Sequence, residues 1–341
     1  MASDLKKRGK NMNTSELINQ IASDLQLGEI TDISQLTGGF MHRMFKVMTD
    51  QAVYVIKLLN PNVMKRLDAL ENFKNAERFE SILEQNNIQA VYALKFNGCK
   101  MQKLGNQYYY VFDWYDGKTL KDGEITVEHC KKIAKVLAEI HNIDLKKEMY
   151  NRPEIHIDWE KYVDLSRICN SPVYDIIKDK IDILDESMIK GNQAIKNIPL
   201  VKAICHNDMD SKNVLWCNDE FKLIDLECLG YSNPYLELFE LALCWSGYES
   251  CNINFDLFST FINSYFENSQ LNVNIDFETL YYSNFGRLEW LEYNIKRALL
   301  IECDNEEEQQ LGISEVKEIM KHIVYYPCAK NLILKYAINP S

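Results

Sequence analysis

The sequence predicts an α+β fold, with a small β-rich lobe over residues 13–115 and a larger α-helical lobe over 116–341. Three observations carry this. Short runs of strand-like residues cluster between Met44 and Phe112 around one helical segment. Helical spacing of apolar residues dominates after Asp116-Gly117. Only the stretch between Val201 and Leu226 interrupts it with a second β-like pattern.

In chain order, Leu17, Ile18, Ile21 and Leu25 recur at helical spacing, and Gly28 follows as a stop signal. Met44 to Met48 and Val53 to Leu58 read as strands joined by the turn Thr49-Asp50-Gln51, a hairpin. A helix is predicted over Val63 to Asn86, with Leu67, Leu70, Phe73 and Phe79 among its apolar positions. Two more strands, Ile88 to Phe96 and Tyr108 to Phe112, are punctuated by Gly98 and Gly105. Ile133, Leu137 and Ile140 then mark a helix; later ones are predicted over Leu236–Trp245, Phe255–Phe266, Phe277–Ile301, Val316–Tyr326 and Leu332–Ile338. The acidic run Asp304 to Glu308 reads as a solvated loop. Residues 1–12 read as a disordered leader or a remnant of cloning, with Met12 as a natural start.

Composition narrows the function classes. With 38 Lys+Arg against 50 Asp+Glu, the net charge of −12 argues against nucleic acid or an anionic membrane as partner, since phosphate surfaces need clustered cations. It suits a cationic small molecule. Ten cysteines without a Cys-x-x-Cys pair read as scattered thiols of a reducing, cytoplasmic compartment, not as a disulfide framework or zinc site. No apolar run reaches the roughly 18 residues of a membrane span. The expected state is a monomer or weak dimer.

The chemistry concentrates in Ile204-Cys-His206-Asn-Asp208-Met-Asp210-Ser-Lys212-Asn213-Val-Leu-Trp and the following Lys222-Leu-Ile-Asp225-Leu-Glu227. Val214–Cys217 and Phe221–Ile224 are strand-like around the turn Asn218-Asp219-Glu220. A hairpin symmetric about Asp219 would pair Cys217 with Phe221, Leu215 with Leu223 and Asn213 with Asp225. Cross-strand partners stand about 5 Å apart, a spacing that lets an amide oxygen and a carboxylate grip one hard cation. Phosphoryl transfer from ATP needs a divalent ion on the phosphates and a carboxylate to orient the attacking hydroxyl. An Asp with an Asn five residues on, then a later Asp, supplies those parts as Asp208, Asn213 and Asp225. The competing reading, a polar turn before a hairpin, leaves that combination of offsets unexplained.

These motifs resemble those of the aminoglycoside phosphotransferase and choline kinase-like families, which share the protein-kinase-like fold. Leu36-Thr-Gly-Gly-Phe-Met-His-Arg-Met-Phe-Lys-Val is similar to their nucleotide-loop strand pair, and Tyr54-Val-Ile-Lys57 to the strand supplying the ATP lysine. Tyr110-Val-Phe-Asp113-Trp-Tyr115-Asp-Gly resembles their inter-lobe hinge; the likeness covers about residues 30–245.

The resemblance implies ATP or GTP and Mg2+ as cofactors, Asp208 as catalytic base, and Asn213 and Asp225 as metal ligands. It implies that Lys57 contacts the α/β-phosphates and is held by a helix carboxylate, Glu77, with Glu80 as the fallback. Gly38 and Gly39 would turn backbone amides toward phosphate, and Asp113 and Tyr115 would hold adenine through backbone atoms. His42 stands where the family usually has Asn; it either donates to a phosphate or is a solvated strand histidine. His206 reads as structural, Cys205 as a buried thiol, and Asp210 as a solvated loop charge. Acceptors of this fold dock on the second lobe, where Glu237, Glu289, Trp290 and Tyr293, together with Glu227, are candidates to meet a cationic substrate. Helical spacing of Leu288, Leu291 and Ile295 leaves packing as the alternative for Trp290 and Tyr293. The expected activity is phosphorylation of a hydroxyl on a small, amine-bearing molecule of the aminoglycoside type. The alternatives are a choline/ethanolamine-type kinase or a catalytically silent nucleotide-binding relative.

Overall fold

The computed structural model describes residues 13–36, 42–148, 153–272, 275–303 and 305–338. The leader region 1–12 and the segment 37–41, which contains Gly38 and Gly39, lie outside the described residues. In chain order the principal elements are α1 (Thr14–Asp24), β1 (Ile30–Leu36), β2 (Arg43–Thr49), β3 (Val53–Leu58), α2 (Ala69–Gln85), β4 (Gln102–Leu104) and β5 (Gln107–Asp113). Next come α3 (Val127–Ile143), α4 (Trp159–Ile168), α5 (Val173–Ile177), α6 (Ile181–Ala194), β6 (Ala203–Cys205), β7 (Val214–Cys217), β8 (Glu220–Leu223) and β9 (Gly230–Ser232). The chain ends with α7 (Pro234–Cys244), α8 (Phe255–Asn268), α9 (Phe277–Ser283), α10 (Gly286–Ala298) and α11 (Glu306–Ile338).

Two compact units result, one running to Lys118 and including Val214–Cys228, the other holding Thr119–Asn213 and the chain from Leu229 onward. The β7–β8 hairpin, expected with the helical lobe, therefore folds with the first unit.

The first unit is built on an antiparallel five-stranded sheet ordered β1-β2-β3-β5-β4. Side chains alternate across a strand. Phe45, Val47, Ile56, Leu58, Tyr109 and Val111 therefore share one face and pack with Ile18 and Ile21 of α1. The helix starts at a capping box in which the Asn13 side chain accepts from the Glu16 N–H. The same alternation turns Lys57, between Ile56 and Leu58, to the opposite face. There Tyr110 is its cross-strand partner, and Phe73 of α2 packs beside Tyr110.

Several boundaries differ from expectation. The long N-terminal helix begins at Ala69, and Leu67 is fully exposed in the preceding turn. Residues 88–96 form no regular strand. They make isolated bridges, Ala90 to Leu223 and Ala93 to Phe112, that tie the β7–β8 hairpin to the main sheet. A short β4 takes the edge position instead.

In the second unit, α3 and α8 pack closely, with Phe239 of α7 edge-on to Phe258 at 6.1 Å. The expected helix over 277–301 is broken at Asn284-Phe285 into α9 and α10. The two expected final helices are one, α11, which continues through Pro327. Glu306 to Glu308, read as a loop, form its first turn, where carboxylates complement the helix dipole. Helices α4 to α6 were not anticipated. None of the ten cysteines is in a disulfide, and no helix among the described residues is long and apolar enough to cross a membrane.

Candidate active site

Lys57, Asp225 and Glu227 cluster in the first unit, and Asp208 and Asn213 in the second. In the first, Lys57 of β3 is 6% exposed, and its Nζ donates to Asp225 Oδ1 and Glu227 Oε2, both at 2.6 Å. Burial alone would lower its pKa, but the two carboxylates outweigh burial and raise it. Asp225 has φ +59°, the left-handed region that costs a β-carbon residue strain and is concentrated at functional sites.

The β7–β8 register pairs Val214 with Leu223, Trp216 with Phe221 and Cys217 with Glu220. The turn is therefore the two residues Asn218-Asp219, with Asn218 at φ +54°, not three residues centred on Asp219. The expected pairing slips by one residue, the ladder stops at Val214–Leu223, and the register does not set Asn213 opposite Asp225.

Glu77 is not the partner of Lys57. Its Oε1 accepts from the Tyr110 hydroxyl at 2.9 Å and from the Met101 N–H at 3.1 Å. The reason is the register above: Tyr110 stands beside Lys57 on the same face, and its phenol takes the α2 carboxylate. Glu80, the fallback, accepts from the Ala93 N–H at 2.7 Å and pairs with buried Lys100 at 3.0 Å. Glu227 takes the place expected of Glu77.

His42 is not a solvated strand histidine. Its ring is 6% exposed, Nδ1 accepts from the Asn60 N–H at 3.0 Å, and Nε2 lies 3.5 Å from Glu227 Oε2. Burial would raise the Glu227 carboxyl, but the His42 and Lys57 contacts hold it down near 2. A carboxyl depressed in the folded state contributes stability above its unfolded pKa that disappears as pH falls through the folded value. The stability advantage of the native chain over Glu227→Gln should thus be constant above about pH 5 and shrink between about pH 4.5 and 2. Urea midpoints of the two proteins across that range measure it; a constant difference would sink the assignment.

Asp113 closes β5 opposite Tyr54, and the Trp114 N–H donates to the Val53 carbonyl at 3.0 Å. Asp113, Trp114, Tyr115, Tyr92 and Lys222 line a cavity of about 360 Å³. Neither Lys57 nor Asp225 borders it.

In the second unit, Asn213 is buried, and its Nδ2 donates to the Asp208 carbonyl at 2.7 Å and to Asp208 Oδ2 at 2.8 Å. Lys212 Nζ lies 3.4 Å from Asp208 Oδ1 and 2.8 Å from Asp210 Oδ2. Both oxygens of Asp208 are thus oriented by neighbours in its own loop. Asp210 is no freely solvated charge: burial raises its carboxyl, against the pull of Lys212.

The loop is anchored from behind. The Trp245 indole N–H donates to the Met209 carbonyl at 2.9 Å, and the Asn207 N–H donates to Glu237 Oε1 at 2.5 Å. Glu237 Oε2 meets His141 Nε2 at 2.7 Å, and His141 Nδ1 meets the Tyr265 hydroxyl at 2.7 Å. Burial would raise the Glu237 carboxyl, but the His141, His206 and Asn207 contacts lower it. Glu237 is therefore not a substrate residue; it is 5% exposed and spends both oxygens inside the protein. Cys205 is fully buried, and burial pushes its thiol well up, away from nucleophilic behaviour.

Glu289 is exposed on α10. Trp290 is 40% exposed and stacks on Tyr293 at 5.3 Å between ring centroids. Sequence reasoning missed His141 and Tyr265. Nothing marks His141 but its place on the apolar stripe of α3, a position that more often signals simple packing.

The model of the phosphotransferase enzyme family matches residues 32–254. The chain belongs to that family. The curated proteins return no match. Among solved structures, this phosphotransferase-family chain is similar to spectinomycin phosphotransferase in complex with ADP and spectinomycin, with TM-score 0.64 and 15% identity over 90% of this chain and 98% of that one. It is also similar to the amicoumacin kinase hAmiN in complex with AMP-PNP, Ca2+ and Ami, with TM-score 0.60 and 12% identity over 94% and 96% of the chains. A choline kinase from Cryptosporidium parvum gives TM-score 0.56 and 15% identity over 96% and 98%. Such likenesses establish the kinase-like α+β fold.

Proposed function

We propose that this family member is an ATP- and magnesium-dependent kinase that phosphorylates a hydroxyl group of a small, amine-bearing molecule. The observation that carries the proposal is the Asp208–Asn213 contact in a loop whose backbone is tied down at Asn207 and Met209. A carboxylate held this way can accept the proton of an attacking hydroxyl without first reorganising. Solved relatives of the same fold carry ADP or AMP-PNP, one with Ca2+, which supports a nucleotide and a divalent ion.

The residues present fit those groups. Lys57 is a buried ammonium with two carboxylates on it, a basic group for phosphate beside oxygen donors of the kind magnesium prefers. Asp225 would help to hold the ion, and Lys57 would pass from its carboxylates to the nucleotide phosphates. When bound, the ion offsets charge on the phosphates. The chain's own part is to hold Lys57 buried, fix Asp225 in its strained backbone conformation, and keep Asp208 aimed. Acidic net charge favours a cationic acceptor by steering.

The test is ADP release with magnesium and a panel of aminoglycosides, amino alcohols, choline, ethanolamine and neutral sugars. An amine-bearing acceptor should raise ADP release at least tenfold over the acceptor-free rate, and Asp225→Asn should abolish the magnesium dependence of nucleotide binding. Equal rates with every compound and with none would overturn the proposal.

A further inference from the structure

Lys57 meets two carboxylates, and a single ammonium balances the charge of only one. Its Nζ lies 2.6 Å from both Asp225 Oδ1 and Glu227 Oε2. His42 approaches Glu227 at 3.5 Å, yet it adds no charge. Its Nδ1 accepts from the Asn60 N–H, so the ring proton is on Nε2 and the imidazole is neutral. Among the described residues, no other basic group comes within ion-pair distance of Asp225 or Glu227. The cluster therefore holds one negative charge in excess. Glu77, bonded to Tyr110 beside Lys57, adds to that sign, because its partners are a phenol and a backbone N–H, both neutral.

The excess sits where it counts. Lys57 and His42 are buried and Glu227 is mostly so, which leaves little water or salt to screen the charge. Two of the three ammonium protons of Lys57 are already spent on carboxylates. A phosphate tail brought to this lysine thus meets a site of its own sign, and the repulsion grows with the tail's charge. Free ATP carries about four negative charges near neutral pH and its magnesium complex about two, because the terminal phosphate sheds its second proton near pH 6. With a divalent cation on Asp225, the cluster changes from one negative charge in excess to one positive.

We infer that Glu227 is a specificity-determining residue, whose charge keeps metal-free nucleotide off Lys57 and so reserves the site for the metal–nucleotide complex. Asp225 alone does not achieve this, because Lys57 and Asp225 together are neutral; the second carboxylate sets the sign. The inference rests on the nucleotide site proposed above and adds to it the form in which nucleotide is admitted.

The experiment is calorimetric titration of the full chain by adenosine, ADP and ATP, once with EDTA and once with excess magnesium. In the native chain without metal, ATP should bind within about threefold of adenosine, although the phosphates are what Lys57 would grip; with magnesium it should bind about tenfold more tightly or better. Glu227→Gln keeps the shape of the side chain and removes its charge. Without metal it should tighten ATP by about tenfold or more, ADP by less, and adenosine by under about twofold. Loss of packing would not produce that graded order. Glu227→Asp, which restores the charge, should leave metal-free ATP within about threefold of native. Circular dichroism checks the fold of both variants, and the native series decides the matter if either fails to fold. Metal-free ATP clearly tighter than adenosine on the native chain, a Glu227→Gln gain equal for adenosine and ATP, or no gain at all would each overturn the inference. Magnesium-dependent ATP binding would in those cases leave the proposed function standing. No ATP binding in either condition would overturn both.

Discussion

Asp208→Asn should lower turnover by about a hundred- to ten-thousandfold, the range over which a positioned proton acceptor accelerates a reaction. The substitution keeps the shape of the side chain, so its hydrogen bond with Asn213 can persist through the remaining carbonyl oxygen. What it removes is basicity and the negative charge facing Lys212. Nucleotide affinity, which we assign to Lys57 and its neighbours in the other unit, should stay within about threefold of the native value. Single-turnover kinetics with a reactive acceptor, alongside a nucleotide titration, separate the two quantities. Retained turnover would show that Asp208 is not the proton acceptor, and a matching loss of nucleotide affinity would show that it acts through binding.

Much of this site was legible in the sequence because its chemistry is written in short offsets. Asp208 and Asn213 lie five residues apart in one loop, and local spacing alone brings their side chains together. Lys57 was legible through the resemblance of Tyr54-Val-Ile-Lys57 to the strand that supplies the ATP lysine, and strand alternation sets it on the face opposite Ile56 and Leu58. Partners that depend on long-range packing were not. Glu77 and Glu227 are both carboxylates at plausible positions, and the choice between them was made by Tyr110, a residue 33 positions from Glu77 that claims it first. The hairpin register failed for a narrower reason. A two-residue turn with Asn218 in the left-handed region and a three-residue turn at Asp219 use the same letters, and the difference of one residue moves every cross-strand pair. Helices α5 and α6 escaped notice because their starts lack a side-chain cap, and capping residues are what mark a boundary in sequence; α4 does carry one, Asp158, which accepts from the Lys161 N–H, and was missed all the same.

Glu237 offers the harder test, because it supports the loop without belonging to it. Its two oxygens accept from a backbone N–H beside the proposed base and from an imidazole 96 residues away. Glu237→Leu should destabilise the fold by about 3–5 kcal/mol, since removing one member of a buried, hydrogen-bonded charged set leaves the others unmatched. Glu237→Gln should cost less, about 1–3 kcal/mol. The amide oxygen can still accept from Asn207, and the amide N–H can donate to His141 if the ring proton moves to Nδ1 and points at Tyr265. That rearrangement preserves the anchor's geometry while removing its charge. A purely structural role predicts unfolding at lower urea with native turnover in the folded fraction. A positioning role predicts that folded Glu237→Gln loses turnover at least tenfold at unchanged KM for nucleotide, because the loop carrying Asp208 is then held by neutral hydrogen bonds in place of charge-assisted ones. Turnover within about twofold of native at saturating substrates, in protein shown to be folded, would reduce Glu237 to a packing residue.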